Sequence, residues 1–132
     1  MRILQGVDIV KIARIEALFT RQGKKFLDRV FTRAEQDYCG SKRMKFEHYA
    51  ARFAAKEAFI KAVENGSVKK PDLLDIEVKH LSSGKPCLRL AAGARKIAGL
   101  GPDDAVELSL AHEREYAVAT VVIVKQRGAE RK

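Results

Sequence analysis

The apolar residues of this chain change their period several times along its length, and each change marks an element. Ile3 to Val10 is rich in β-branched residues on both faces, which predicts a strand, with Gly6 at a point suited to a bulge or a close backbone approach. From Lys11 to Phe19 the apolar positions Ile12, Ile15, Leu18 and Phe19 fall at helical spacing and leave Lys11, Arg14 and Arg21 on the other side. Thr32 followed three residues later by Glu35 has the capping-box pattern, so a helix starts there and runs towards Cys39. A basic, polar linker, Gly40 to Lys45, precedes a longer helix from about His48 to Val63, for which Asn65 and Gly66 are good stop residues.

Asp75 to His80 alternates, with Ile76 and Val78 on one face and Asp75, Glu77 and Lys79 on the other, as in a half-solvated antiparallel strand. Ser82 to Lys85 supplies a turn into a strand at Pro86 to Leu90. Ala91 to Ala98 suits a short helix closed by Gly99 or Gly101. Val106 to His112 and Tyr116 to Val124 are two further strands joined by the charged turn Glu113 to Glu115. The pattern is α+β: an antiparallel sheet packed with helices. At 132 residues it predicts one domain over 1–125, with 126–132 as a loose tail.

Charge narrows the partners without naming one. The formal net charge is +9, with Lys and Arg concentrated over 11–25, 29–33, 42–45 and 52–61. Such a field attracts anions, and a polyphosphate cofactor, an acidic protein and a nucleic acid would all answer to it. Taken alone, it favours nucleic acid. Against that, the aromatics are few and mostly at core spacing, with no stacking array. Cys39 and Cys87 stand far apart and the histidines are not clustered in sequence, which argues against a disulfide framework and a structural zinc site. With no secretory pattern and no run of membrane-spanning length, a reducing cytoplasm is the simplest setting.

The segment Arg52 to Ala62 carries the most chemistry. On a helix Glu57 and Lys61 lie one turn apart on a stripe flanked by Phe53, Ile60 and Ala54, so charge is held against apolar surface. Arg52 and Lys56 fall on a separate stripe, and Ala51, Ala55, Ala58 and Ala62 form a small-residue face open to close approach by another element. Glu57 and Lys61 also satisfy the commoner description, a surface i, i+4 ion pair. Asp8, set in an apolar run, reads equally as a helix N-cap or a strand-end acid. Two isolated carboxylates on different elements are also what Mg²⁺ needs when phosphate and water supply its other ligands. His112, at a strand end, suits an exposed hairpin position or a hydrogen bond to phosphate. His48 and His80 have nothing beside them in sequence to single them out. Gly84-Lys85-Pro86 reads first as turn chemistry, and no Walker-type or Gly-x-Gly-x-x-Gly loop occurs.

Four segments in order resemble the short, carrier-protein-synthase type of the 4′-phosphopantetheinyl transferase family, the holo-[acyl-carrier-protein] synthases. They are Gly6-Val7-Asp8-Ile9-Val10, Phe31-Thr32-Arg33-Ala34-Glu35, Phe53 through Ala62, and Ser109-Leu110-Ala111-His112 before Tyr116-Ala117. The resemblance implies the transferase-like fold, a homotrimer with sites at its subunit interfaces, and transfer of phosphopantetheine from coenzyme A to a serine of an acyl carrier protein for fatty acid biosynthesis. It implies Mg²⁺ held by Asp8 and Glu57 against the coenzyme pyrophosphate, with Lys61 neutralising phosphate charge and assisting proton transfer. It makes Arg52 and His112 candidates for the 3′-phosphate, brings Lys42, Arg43 and Lys45 from a neighbouring subunit, and lines the coenzyme groove with Ser83, Gly84, Lys85 and Pro86. Arg14, Arg21, Lys24 and Lys25 would meet an acidic carrier protein, with Leu18 and Phe26 as apolar anchors. Nucleic acid and membrane are not expected partners.

Two positions depart from the family pattern: Phe53 stands where Trp is frequent, and Ala111 where a hydroxyl residue often precedes the His. The first is a core aromatic exchange; the second removes a possible donor beside the phosphate. A small nucleic-acid-binding protein and a non-catalytic carrier-protein adaptor are the competing readings. The first predicts affinity that falls steeply with salt, the second tolerance of losing Asp8.

Overall fold

A computed structural model describes residues 1–63 and 69–126 of the chain. Asn65 and Gly66, and the tail beyond Gln126, lie outside the described residues. In chain order the elements are β1 (Arg2–Lys11), α1 (Ile12–Gln22), α2 (Lys24–Val30), α3 (Arg33–Gly40), α4 (Lys45–Val63), a 3-10 turn (Leu73–Asp75), β2 (Ile76–His80), β3 (Pro86–Leu90), α5 (Ala92–Ala98), β4 (Ala105–His112) and β5 (Tyr116–Lys125). The class is α+β with antiparallel pairing throughout, but the strands form two sheets where one was expected. β1, β5 and β4 make a three-stranded sheet in that order, and β2 and β3 make a separate hairpin.

What organises the molecule is the crossing of α4 over the inner face of β1. A Cβ on Gly6 would stand 2.2 Å from the Ala58 carbonyl oxygen and 2.7 Å from the Ala62 amide nitrogen, so only glycine lets the two backbones approach this closely. Ala51, Ala55, Ala58 and Ala62 are all buried, and this face of α4 is where the sheet is received. The alternation along β1 then does the rest. Gly6, Asp8 and Val10 share one face, and Asp8 is carried to the same helix one step beyond the glycine.

The capping box at Thr32 is present, with the Glu35 amide donating to Thr32 Oγ1 at 3.2 Å and the Thr32 amide donating to Glu35 Oε1 at 2.9 Å. Helix α2 was not foreseen. It is only seven residues long, follows Gly23 at φ 62°, and presents just Phe26 and Val30 to the core, too short a run for a helical period to stand out. The linker expected over 40–45 is present as the turn 41–44, between Gly40 at the end of α3 and Lys45 at the start of α4, so the long helix begins three residues earlier than expected. In β2 the expected solvent face is wrong at one position: Glu77 is buried, accepting from Thr32 Oγ1 at 2.6 Å and pairing with Arg89 at 3.4 Å. Gly99, at φ 67°, closes α5 in the left-handed conformation. Among the described residues no helix is long and apolar enough to cross a membrane.

Candidate active site

Asp8, Glu57 and Lys61 meet where β1 passes under α4. Lys61 Nζ donates to Asp8 Oδ1 at 2.8 Å and to the Val7 carbonyl at 3.3 Å, joining the last turn of the helix to the strand. The Asp8 side chain is nearly enclosed, at 14% exposure. Glu57 is half-buried, and its carboxyl pKa is raised first by burial and then by the Asp8 charge, with Lys70, Lys61 and Arg14 pulling the other way. Two acids thus share one partly desolvated space. Among the described residues no group of three or more His, Cys, Asp or Glu gathers into a metal-holding set. The pair fits a hard divalent ion whose remaining ligands are phosphate and water, because both donors are carboxylate oxygens and their mutual repulsion calls for a cation.

A second, cationic cluster lies at the N-terminal half of α4. The Arg52 guanidinium sits 4.4 Å from the Tyr38 ring centroid and donates to the His48 carbonyl at 3.4 Å, while its Nε is buried with no hydrogen-bond partner. Lys42 Nζ is 4.5 Å from the same ring. His80 stacks on Tyr38 at 4.9 Å, His48 stands edge-on to Tyr38 at 5.8 Å, and His112 is 5.6 Å from His48, with its Nδ1 3.2 Å from Glu47 Oε1. All three histidines of the chain therefore gather here, although they are 32 residues apart in sequence at each step. His48 and His80 both have lowered pKa values, through burial first and then through Arg52 and the neighbouring cations. The family resemblance singled out Arg52 and His112, and brought Lys42 from a neighbouring subunit, whereas here Lys42 stands over Tyr38 of its own chain. His48, His80 and Tyr38 were not singled out, because nothing local marks a residue whose role comes from a fold contact.

The other predicted residues fall into separate places. Arg43 and Lys45 line a cavity of about 270 Å³ with Ile12, Glu16, Phe46 and Arg114, which borders the histidine cluster through Glu47, the partner of His112. Gly84, at φ 93°, turns the β2–β3 hairpin, closed by Leu81 and Lys85 backbone hydrogen bonds, with Ser83 Oγ accepting from the Lys85 amide at 3.4 Å. Lys85 reaches the Leu108 carbonyl at 3.4 Å, and with Pro86 and Glu107 it borders a groove of about 380 Å³ beside β4.

On α1, Arg14 and Arg21 are exposed, Leu18 is half-buried, and Arg14 lies 5.7 Å over Phe53, within reach of the Glu57 charge. On α2, Lys24 is exposed and bonded to Asp28 at 2.8 Å, and Lys25 is exposed. Phe26 corrects the expectation. It is 3% exposed and stands edge-on to Phe31, so it is a core residue with no surface to offer a partner.

One buried group was missed entirely. Lys56 and Glu35 form an ion pair at 2.8 Å with neither side chain exposed. Lys56 Nζ also donates to the carbonyls of Leu73 and Ile76 at 2.9 and 2.6 Å, and Glu35 Oε2 accepts from the Val78 amide at 2.7 Å. Burial lowers the Lys56 pKa, and the Glu35 charge partly restores it. The pair ties α3 and α4 to β2 and so sets the height of the hairpin beside the cluster. A lysine surrounded by Phe53, Ala54, Ala55, Ala58 and Phe59 was the available sign.

The family model of the 4′-phosphopantetheinyl transferase superfamily matches residues 5–121, which includes both clusters, and the chain belongs to that superfamily. Within it, the chain is similar to proteins named holo-[acyl-carrier-protein] synthase. That of Ruminiclostridium cellulolyticum is 41% identical over 124 residues, covering 93% of this chain and 92% of the relative. That of a Geobacter species is 45% identical over 121 residues, covering 89% and 94%. Among solved structures, the Helicobacter pylori holo-[acyl-carrier-protein] synthase in complex with coenzyme A superposes with a TM-score of 0.78 at 32% identity, covering 91% of this chain and 99% of that one. The Chronobacterium ammoniagenes ACPS–CoA complex gives 0.78 at 31%, covering 96% and 100%.

Proposed function

We propose that this chain transfers 4′-phosphopantetheine from coenzyme A to a serine of apo acyl carrier protein, releasing 3′,5′-ADP. The observation that carries the reading is the convergence of Asp8 and Glu57 beside Lys61 in a chain whose relatives carry this name. The serine oxygen forms a bond to the phosphorus next to pantetheine, and the bond from that phosphorus to the bridging pyrophosphate oxygen breaks. Little covalent chemistry falls to the protein, so positioning and charge stabilisation dominate.

Asp8 and Glu57 would hold Mg²⁺, which would supply charge neutralisation to the pyrophosphate. Lys61, with its side chain half-exposed, orients Asp8 and presents an ammonium to the phosphates. Arg52, Lys42 and His112 hold the 3′-phosphate, and the buried, unpartnered Nε of Arg52 is a donor still to be satisfied. The hairpin residues Ser83 to Pro86 line the coenzyme groove, and Arg14, within reach of the Glu57 charge, meets the acidic carrier together with Arg21 from the last turn of α1.

The chain works as a homo-oligomer in this account, a trimer by its resemblance to the family. Sheet order supports it: β1 carries Asp8 and β4 carries His112, on opposite edges with β5 between them, about 10 Å apart. Arg52 and Glu57 likewise point roughly 140° apart around α4. A coenzyme that reaches both clusters is better served by one from each of two neighbouring copies, with Arg43 and Lys45 closing the junction. The outer face of the sheet is apolar and uncovered, with Ile3, Val7 and Ile9 more than half exposed, a surface suited to a second copy. Incubation of an apo carrier protein with this protein, Mg²⁺ and coenzyme A should add the phosphopantetheine mass to its serine. An unmodified carrier mass overturns the reading.

A further inference from the structure

We propose that His48 and His80 determine specificity for the coenzyme's 3′-phosphate by taking up protons when it binds. The inference rests on the reading that Arg52, Lys42 and His112 hold that phosphate. The two rings belong to different elements, α4 and β2, and meet through Tyr38 on α3, which stacks on His80 at 4.9 Å and meets His48 edge-on at 5.8 Å. The charged groups facing them are Arg52 and Glu47 from α4, Lys42 from the turn between α3 and α4, and His112 from β4. Only Glu47 among these is an acid, and it is engaged with His112 at 3.2 Å.

In the free protein the balance is therefore cationic, and protonating either ring adds a like charge beside a buried guanidinium. Burial and that repulsion keep both rings neutral around neutral pH. A phosphate monoester, with a second pKa of about 6, arrives near neutral pH chiefly as a dianion. Placed against Arg52, it reverses the sign of the local field, and both ring pKa values must rise. His48 and His80 then pass from neutral neighbours to charged donors. A coenzyme without the 3′-phosphate offers no such compensation and leaves them neutral.

Calorimetric titration with coenzyme A and with dephospho-coenzyme A, in buffers of low and high ionisation enthalpy at pH 7.0, counts the protons exchanged. Wild type should take up protons on binding coenzyme A and none on binding dephospho-coenzyme A. The His48→Gln/His80→Gln variant, which keeps His112, should take up markedly fewer protons. Its affinity for coenzyme A should fall about tenfold at pH 6 and much less at pH 8.5, since each unit of pKa rise corresponds to a factor of ten. Phosphate deprotonation on binding is common to both proteins and cancels in the comparison. His80→Gln alone, altering an exposed strand end, should remove part of the uptake and serves if the double variant does not fold. Preference for coenzyme A with equal proton counts in wild type and variants overturns this inference alone. Equal affinity for the two coenzymes overturns the 3′-phosphate assignment and the inference with it.

Discussion

Lys61 Nζ lies 2.8 Å from Asp8 Oδ1, and this contact joins the two elements on which the proposed chemistry depends. The lysine comes from the last turn of α4 and the acid from the middle of β1, held together because Gly6 lets the strand pass against the Ala58 carbonyl. Lys61→Ala leaves Asp8 and Glu57 facing each other without that ammonium. Transfer should slow on the order of 10²-fold, the size found when one charge-stabilising donor is removed, with Lys61→Arg recovering part of it. Single-turnover rates with saturating coenzyme A check this.

Gly6→Ala tests the crossing itself. The added methyl meets backbone atoms of α4, which cannot swing aside as a side chain could. Stability should fall by about 2–3 kcal/mol or more, and activity should fall further than stability explains, because Asp8 is displaced relative to Glu57. Urea unfolding and kcat of the folded fraction separate the two effects.

Glu57→Gln should make the protein more stable while disabling it. The folded-state pKa of Glu57 is raised above its ordinary value of 4.5, so the charged form is disfavoured by folding. Its contribution is present below the ordinary pKa and is lost as pH rises through the raised one. Hence with a chelator present, the variant should melt above wild type at pH 8, and the difference should vanish near pH 4. Melting temperatures at the two pH values decide it.

Breaking the buried Lys56–Glu35 pair should be costly. Lys56→Met preserves volume but leaves a carboxylate at zero exposure without its cation and frees the Leu73 and Ile76 carbonyls. The expected loss is about 3–5 kcal/mol by denaturant unfolding. Because the pair positions β2, the KM for coenzyme A of any folded remainder should rise more than kcat falls.

Arg14→Ala should weaken transfer to carrier protein by about tenfold at low ionic strength, and the defect should shrink as salt screens the encounter. Measuring kcat/KM for the carrier between low and high salt checks it. A defect independent of salt would place Arg14 inside the reaction chemistry through its proximity to Glu57.

Most of the architecture was legible because the elements that matter are long or strongly patterned. β1, the capping box at Thr32, the Ala-faced helix and the last hairpin all carry a period or a cap in sequence. Helix α2 was not legible, since two apolar positions in seven residues make no pattern. The separation into two sheets depends on which strand edges meet, a tertiary choice that alternation does not encode. Site residues followed the same division. Asp8, Glu57 and Lys61 stood out as charge set in apolar runs, whereas His48, His80 and Tyr38 become neighbours only when α3, α4, β2 and β4 pack. Lys56 and Glu35 each looked like parts of local motifs, and only burial reveals that they answer each other. Phe26 was misplaced on a surface because the helix that buries it was unseen.

The central claim is that Asp8 and Glu57 grip one divalent ion. Its most direct test is the rate of carrier-protein modification as a function of Mg²⁺ concentration for wild type, Asp8→Ala and Glu57→Gln. The account predicts that each variant needs at least about tenfold more Mg²⁺ for half-maximal rate, as expected when a ligand is lost, and reaches a far lower maximum. Variants with the wild-type Mg²⁺ dependence and rate would contradict it.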